Sequence, residues 1–252
     1  NGWASIAAAA VFGLHPAGTE AVTNIVGRAE LLATLSVLAG TLCYIRSTRS
    51  ESNRRGWLSG LMLSTLVGVF CKERVIAIAG VVVLYDLAFR LQPLHANGWV
   101  NLVRNLWTNL RRSYWVLLPP VAAYFLVRAW VYHDLVRVPT ALVDNPLVGA
   151  DFWTARMTAM GVMGRYLWLL VWPQSLSCDY SFNQIPLVGW RLNDVEMIRA
   201  GATLVLLLAL TALVVARRRI WPELLFYAGL FFVTLLPVSN LVTLIGATMA
   251  DR

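Results

Sequence analysis

Long apolar runs separated by short polar segments dominate the hydrophobic pattern of this chain. The runs are rich in Leu, Val and Ala, and several are bracketed by Trp or Tyr, as membrane-spanning helices are. They lie at residues 3–14, 22–45, 57–71, 75–91, 114–132, 157–172, 201–216 and 223–246. The pattern predicts an all-α integral membrane protein, a multi-helix bundle of about seven or eight hydrophobic helices.

The composition agrees with this pattern. Hydrophobic residues make up 58% of the 252-residue chain and charged residues 13%, and the mean hydropathy is +0.64. A water-soluble domain carries about 25% charged residues, so a large separate soluble domain is excluded and the lipid bilayer is the expected surrounding. Because no repeat or flexible linker interrupts the runs, residues 1–252 are interpreted as a single transmembrane domain.

The excess positive charge predicts membrane orientation rather than a nucleic-acid partner. The net charge is +8, but the basic residues lie between apolar runs and not along one polar face. Arginine-rich loops at 46–55, 90–112 and 217–219 are expected on the cytoplasmic side. The segments that then fall on the extracytoplasmic side are 15–16, 71–74, 133–156, 173–200 and 249–252.

Two of these outer segments, 133–156 and 173–200, are long and contain clusters of Pro, Asn, Asp and Gly. Such composition predicts an ordered cap over the bundle. The apolar run 157–172 between them conflicts with the topology, because a full crossing there would reverse the side of every later segment. We interpret it as a re-entrant or interfacial helix; a span missed elsewhere would restore the count equally well.

Both ends of the chain lie beside apolar runs, so the chain is interpreted as a membrane-domain fragment of a longer protein. Every basic residue except Lys72 is arginine, a bias that a GC-rich bacterial coding sequence would produce. The bacterial inner membrane is therefore the favoured location, and the endoplasmic-reticulum membrane is the alternative for a eukaryotic source.

The first polar cluster interrupts the apolar pattern near the N-terminus. Pro16 is expected to end one helix, and Thr19 to cap the next. On a continuous helix, Glu20 and Arg28 would project within about 80° of each other and about 12 Å apart. Ionised groups inside a bilayer cost several kcal/mol unless they are paired or line a wet cavity. We therefore expect His15 and Glu20 to act at a cavity rim, whereas Arg28 either binds substrate or forms a structural ion pair.

The second cluster, Lys72-Glu73-Arg74, joins two apolar runs with almost no loop. Adjacent ionisable groups near the outer membrane surface are costly, which indicates a role. Lys is a compact point charge and Arg a planar fork, and together they suit a lipid-borne phosphate. The alternative is that both cations extend to ordinary lipid headgroups.

The third cluster extends from Asp144-Asn145-Pro146 through Arg156 and Arg165 to the segment 172–181, which contains Asp179 and Tyr180. Cations, aromatic rings and a carboxylate together suit a polar, ring-shaped substrate that is attached to a phosphate. The three cysteines lack metal-ligand spacing, and no Gly-rich phosphate loop or GxSxG motif is present. The sequence therefore predicts neither a metal site nor nucleotide hydrolysis.

Taken together, the motifs resemble one family, the transmembrane and tetratricopeptide-repeat protein O-mannosyltransferases, and their bacterial relatives. The ordered set spans nearly the whole chain. Its members are His15-Pro16-x-x-Thr19-Glu20, Gly27-Arg28-Ala29-Glu30, Cys71-Lys72-Glu73, Asp144-Asn145-Pro146, Trp172-Pro173-x-x-Leu176-Ser177-x-Asp179-Tyr180-Ser181 with Gln184-Ile185-Pro186, and Met249-Ala250-Asp251-Arg252.

The resemblance implies a membrane glycosyltransferase of the GT-C class. Such enzymes take a sugar, mannose in the animal members, from a polyprenyl-phosphate carrier and transfer it to a protein Ser/Thr hydroxyl on the extracytoplasmic or luminal side. The carrier-linked sugar is a substrate, and no cofactor is implied. The resemblance also implies an acidic motif upstream of residue 1, tetratricopeptide repeats after residue 252, and a Glu where Asp251 stands.

This chemistry suggests roles for the candidate residues. Inverting transfer needs a carboxylate to accept the proton of the acceptor hydroxyl, and cations to stabilise the leaving phosphate. The acceptor or base role is assigned to Glu20 or His15, and the carrier phosphate to Lys72 and Arg74. The sugar site is assigned to Arg156, Arg165 and Asp179. The competing interpretation is a non-enzymatic carrier or flippase for a lipid-linked saccharide, or an anchor for downstream repeats.

Overall fold

The computed structural model describes residues 2–25, 27–91, 98–133, 145–174, 176–177, 180, 184–191, 193–218, 220–242 and 244–249, with the side chains of 98–102 left undescribed. Within these residues the protein is helical and contains no strand, which confirms the all-α prediction. The α-helices are α1 (Gly2–Leu14), α2 (Thr19–Thr23), α3 (Arg28–Arg49), α4 (Arg54–Cys71), α5 (Ile78–Tyr85), α6 (Gly98–Arg112), α7 (Leu118–Tyr132), α8 (Phe152–Val171), α9 (Val195–Arg217) and α10 (Pro222–Leu235).

Three helical segments of the described chain are long and apolar enough to cross a membrane: Arg28–Arg49, Tyr114–Tyr132 and Val195–Arg217. Their outer surfaces are apolar; Leu35 on α3 and Val205 on α9, for example, are 62% and 67% exposed. Apolar surface of this extent suits lipid rather than water. The predicted seven or eight spans are not confirmed, and the interfacial placement of 157–172, now the larger part of α8, stays a prediction.

The chain divides into two compact units. Unit 1 contains 1–31, 138–208 and 238–252, and unit 2 contains 32–137 and 209–237. Each unit has a buried hydrophobic core of its own. The prediction of a single transmembrane domain remains a prediction.

Unit 2 is built from close helix contacts around the short helix α5. Helix α4 packs on α7, and α5 packs on α10. Glycines allow this approach, since an ideal Cβ at Gly80 would lie 2.6 Å from a methyl group of Val233. The largest buried hydrophobic cluster in the described part of unit 2 contains Tyr44, Leu58, Leu61, Ile78, Val82, Tyr85, Tyr114, Val116 and Leu117.

In unit 1, small residues bring α8 and α9 together. Gly161 faces Ala200, and Gly164 lies so close to Thr203 that a side chain on the glycine would collide with the Thr203 hydroxyl. The segment between these helices has no regular secondary structure at the described residues 184–191. It is tied to α8 by hydrogen bonds, including one from the Val188 N–H to the Thr158 hydroxyl (3.0 Å).

The predicted run 22–45 is not one continuous helix. Helix α2 ends at Thr23, Asn24 has extended backbone (φ −89°, ψ 133°), and α3 begins at Arg28. Gly27 makes the turn possible, because a Cβ there would lie 2.7 Å from the Ala21 backbone. The prediction that Glu20 and Arg28 share a helix face is therefore wrong.

Two other helix predictions differ from the structure. Gly18, and not Thr19, is the residue before α2, and it makes no side-chain cap. The apolar pattern from 223 to 246 ends as α-helix at Leu235, because a 3₁₀ turn containing Pro237 follows and Asn240 adopts a left-handed backbone (φ 58°). Residues 98–112, predicted as loop, form α6.

Candidate functional site

His15 holds a turn in unit 1. Its Nδ1 accepts a hydrogen bond from the Ala17 N–H (3.2 Å), which caps the 3₁₀ turn Pro16–Gly18. Because Nδ1 is the acceptor, the proton is assigned to Nε2, which lies 3.1 Å from the Leu170 carbonyl oxygen at the end of α8. Both ring nitrogens are thus engaged with backbone, an arrangement that suits a positioning residue.

Glu20 follows directly after this turn, in the first turn of α2, and is half-buried. Arg28 opens α3 beyond the break and is exposed. Glu20 therefore lies directly after the turn that His15 holds, whereas Arg28 lies on a different helix.

The Lys72-Glu73-Arg74 motif lies where α4 ends. Lys72 has extended backbone (φ −156°, ψ 129°), its N–H bonds to the Gly68 carbonyl oxygen (2.8 Å), and a 3₁₀ turn begins at Glu73. Lys72 and Arg74 are half-buried, and Glu73 is exposed. The tight reversal brings both cations and the carboxylate to one end of unit 2.

Glu73 pairs with residues that the sequence analysis missed. Arg128 forms a salt bridge with Glu73 Oε2 and also donates to the Tyr124 hydroxyl (2.6 Å), which in turn donates to Glu73 Oε2 (3.1 Å). The Arg128 guanidinium also stacks on the Tyr132 ring at 5.4 Å. The sequence could have indicated Arg128 as a candidate, because it is a lone charge in an apolar run and lies four residues from both Tyr124 and Tyr132.

The electrostatics of this cluster favour anion binding. Burial acts to raise the pKa of Glu73, but hydrogen bonds from Arg128 and Tyr124, and the nearby positive charges, outweigh burial and lower it. Glu73 is therefore ionised at neutral pH. Three cations and one carboxylate leave this end of unit 2, the Glu73 cluster (Lys72, Glu73, Arg74, Arg128), with a net charge of +2.

In unit 1, Arg156 fastens a loop. Its guanidinium donates to the carbonyl oxygens of Asn240 and Val242 (both 3.1 Å) and lies 4.9 Å from the centre of the Phe152 ring. The two hydrogen bonds show what Arg156 holds in this structure. Its predicted contact with a sugar substrate stays a prediction.

Two buried asparagines complete this loop. Asn240 Nδ2 donates to the carbonyl oxygens of Ala247 (3.0 Å) and Thr248 (3.2 Å), and its Oδ1 accepts from the Ile245 N–H (2.8 Å). Asn145 Nδ2 donates to the Ile245 carbonyl oxygen (2.6 Å). This network, together with Arg156, ties together residues 239–242 and 244–249, an arrangement that the sequence pattern did not predict.

Arg165 contacts a carboxylate that the sequence analysis did not single out. Glu196 Oε1 accepts hydrogen bonds from Arg165 (2.8 Å) and Arg199 (2.5 Å). The buried Nε of Arg165 has no hydrogen-bond partner among the described residues. The close contact of α8 with α9 explains the pairing, because it places Arg165 beside the first turn of α9.

Tyr180 packs at the edge of a small core formed by Val162, Ile185 and Met249. Asp179 lies outside the described residues, so its predicted role stays a prediction. Within the described part of the chain, no group of three or more His, Cys, Asp or Glu residues could hold a metal ion.

A second polar cluster lies at the other end of unit 2, around Asp86, which the sequence analysis did not identify. Its carboxylate is 0% exposed and accepts hydrogen bonds from four side chains. The donors are Tyr44 (2.6 Å), Tyr114 (2.7 Å), Asn109 (2.7 Å) and Arg90 (2.9 Å). Because 13 residues of helical backbone separate Asp86 from Glu73, the two clusters are about 20 Å apart.

These features define a class of protein: a helical membrane protein that carries a partly exposed cationic cluster at one helix end. Comparison with known proteins identifies the family. Residues 140–211 match the family described as Protein O-mannosyl-transferase TMTC, DUF1736. Together with the relatives described next, which match almost the whole chain, this shows that the chain belongs to the TMTC family.

Individual relatives match almost the whole chain. It is 30% identical to Protein O-mannosyl-transferase Tmtc3 of Drosophila melanogaster over 97% of this chain and 29% of the relative. It is also 30% identical to Protein O-mannosyl-transferase TMTC3 of Homo sapiens, over 98% of this chain and 28% of the relative. The human TMTC4 protein is 29% identical over 99% of this chain and 36% of its own length.

The chain thus spans about a third of the length of these curated relatives. No solved structure matches the chain.

Proposed function

We propose that this chain is the membrane part of an O-mannosyltransferase, which transfers mannose from a polyprenyl-phosphate carrier to a protein Ser/Thr hydroxyl on the extracytoplasmic or luminal side. The observation that carries this proposal is the alignment of 97–99% of the chain with proteins named protein O-mannosyl-transferases. The choice between the bacterial inner membrane and the endoplasmic-reticulum membrane is a separate prediction, on which this proposal does not depend.

The Glu73 cluster is the proposed site for the carrier phosphate. Its net charge of +2 complements a phosphate that gains negative charge as the sugar leaves. Arg128 offers a planar fork, Lys72 a point charge, and Glu73 with Tyr124 orients the Arg128 guanidinium. Because 45% of the Arg128 side chain is exposed, it remains accessible to a lipid headgroup.

Glu20 is the proposed carboxylate on the acceptor side. In the transfer, the acceptor oxygen forms a bond to the anomeric carbon, the bond from that carbon to the phosphate oxygen breaks, and its electron pair goes to the phosphate. The hydroxyl proton goes to a carboxylate. Glu20 supports this step, and His15 positions the turn that precedes Glu20, since both His15 nitrogens bond to backbone atoms.

The remaining assignments in unit 1 concern the sugar. Arg165, Asp179 and Tyr180 are proposed to orient it, and Arg28 to serve substrate binding. Arg156 acts through the loop that it holds at Asn240 and Val242.

The test is mannosyl transfer by the full-length protein in liposomes that contain polyprenyl-phosphate mannose, with a Ser/Thr peptide as acceptor. We expect Lys72→Gln and Arg128→Gln to raise the KM for the donor at least ten-fold, and Arg128→Lys to recover part of the loss. Glu73→Gln, which removes the carboxylate that orients Arg128, should also raise the donor KM. Glu51→Gln, which removes an exposed carboxylate from a turn outside the proposed site, is its matched control.

Unchanged donor KM in Lys72→Gln and Arg128→Gln would refute the phosphate site. A wild-type protein that moves the mannosyl lipid between leaflets, without forming a glycopeptide, would instead identify a carrier. If the folded, reconstituted protein shows neither activity, that result would support an anchor for a repeat scaffold.

A further inference from the structure

Helix α6 (Gly98–Arg112) carries an apolar stripe that is not covered by the rest of unit 2. Val103, Trp107 and Leu110 are 64%, 54% and 37% exposed. Their spacing of four and then three residues places them on one face of the helix. Exposed stripes of this kind mark a surface that binds a membrane or another protein.

The charge on α6 is of one sign. From 98 to 113 the sequence contains Arg104, Arg111 and Arg112 and no acidic residue. At 100° per residue, Arg104 and Arg111 project within about 100° of the centre of the stripe, on the same side of it. The Arg111 guanidinium lies 4.9 Å from the centre of the Trp107 ring. A cationic border therefore runs beside the apolar stripe.

The opposite side of α6 is fixed to unit 2. Asn109 donates to the buried Asp86 carboxylate (2.7 Å), and Arg54 donates to the Arg112 carbonyl oxygen (2.9 Å) and the Ser113 hydroxyl (2.8 Å). These contacts set the rotation of the helix about its own axis. Because Asn109 faces inward, Val103 and Trp107 face outward.

The position of α6 relative to the bilayer follows from chain continuity. The candidate span Tyr114–Tyr132 begins two residues after α6 ends. The C-terminal end of α6 must therefore lie at a membrane surface. Ser113 between them has non-helical backbone (φ −140°, ψ −43°) and is held by Arg54, so α6 is a separate helix and does not extend the span.

We infer that α6 is an interfacial helix that binds an anionic lipid surface. The Val103–Trp107–Leu110 stripe lies below the headgroups, and Arg104 and Arg111 bind headgroup phosphates. Charge complementarity selects anionic lipid, because each basic residue near such a surface contributes about a five-fold gain in partitioning. The Asp86 cluster is what keeps this face toward the membrane. The inference is independent of the proposed transferase activity.

Depth of insertion is the first test. In full-length protein with its native cysteines replaced, single spin labels at Val103→Cys, Leu110→Cys and Thr108→Cys are compared in nanodiscs. We expect several-fold lower collision with an aqueous nickel complex, and higher collision with oxygen, at 103 and 110 than at 108, whose exposed side chain lies about 130° around the helix from the stripe. Equal aqueous access at all three positions would overturn the inference and leave the stripe to a protein partner.

Lipid dependence is the second test, in nanodiscs of phosphatidylcholine alone or with phosphatidylglycerol added. The label at 103 should lie deeper in the anionic discs. Replacing Arg104, Arg111 and Arg112 by Gln should abolish this difference, while the matched Lys triple variant should keep it. Loss of the difference in both triples, or its persistence in the Gln triple, would contradict binding through positive charge.

Discussion

Glu73 and Asp86 are carboxylates 13 residues apart on one helical segment of unit 2, and their environments differ. The Glu73 side chain is 58% exposed and shares one oxygen between Arg128 and Tyr124. Asp86 is 0% exposed and receives four donors. A buried carboxylate whose acceptor sites are occupied has little capacity for a ligand, whereas an exposed one beside surplus cations can exchange partners. Asp86 therefore serves the fold, whereas Glu73 keeps the capacity to exchange partners that the proposed phosphate site requires.

The largest effect that would sharpen this contrast is the loss of Asp86. Asp86→Ala leaves Tyr44, Tyr114 and Asn109 without their acceptor in the protein interior. We expect the free energy of unfolding to fall by about 3–5 kcal/mol, as when one partner of a buried ion pair is removed. Denaturation of the full-length protein in mixed micelles measures it, with Glu51→Ala as the exposed control. A loss equal to that of the control would contradict a structural role.

Removing one donor from each cluster gives a smaller, paired comparison. Tyr114→Phe deletes one buried hydrogen bond to Asp86 and should lower the free energy of unfolding by about 1–1.5 kcal/mol. Tyr124→Phe deletes an exposed bond to Glu73 and should cost less. The same denaturation assay compares the two variants, and an equal loss would show that burial does not separate the clusters.

The ion pair between Glu73 and Arg128 should contribute little to the free energy of unfolding. A double-mutant cycle on Glu73→Gln and Arg128→Gln is expected to give a coupling of about 0.2–1 kcal/mol, because both side chains are substantially exposed. The same variants should nevertheless impair mannosyl transfer. Coupling of several kcal/mol with unchanged transfer would reverse the roles assigned to the two clusters.

The smallest expected effect is on pH dependence. The folded-state pKa of Glu73 lies below its usual value of 4.5, so the stabilisation from its ion pair is complete above that value and is lost as the pH falls through the lower folded pKa. The stability difference between wild type and Glu73→Gln should be constant from pH 7 to about pH 5 and shrink below about pH 4.5. A difference that changes between pH 7 and pH 6 would point to another titrating group.

Helices whose apolar patterns are long were predicted well. The predicted runs 3–14 and 201–216 lie within α1 and α9. The breaks were harder, because a continuous apolar pattern does not reveal a turn that depends on contact. Gly27 lies so close to the Ala21 backbone that a side chain would not fit, and Asn240 ends the pattern after α10 by bonding to residues five to eight positions further on. Helix α6 was missed for a related reason, since its amphipathic pattern lies in an arginine-rich segment.

The sequence alone was sufficient for the membrane class, the all-helical architecture and the family, because these depend on overall hydrophobicity and on ordered local motifs. It also placed Lys72, Glu73 and Arg74 together, since they are consecutive. Only the tertiary structure brought Arg128 to Glu73, four donors to Asp86, and Arg156 to the Asn240 loop. These contacts join residues that are far apart in the chain, and hydrophobic periodicity carries no information about which polar groups become neighbours when helices pack.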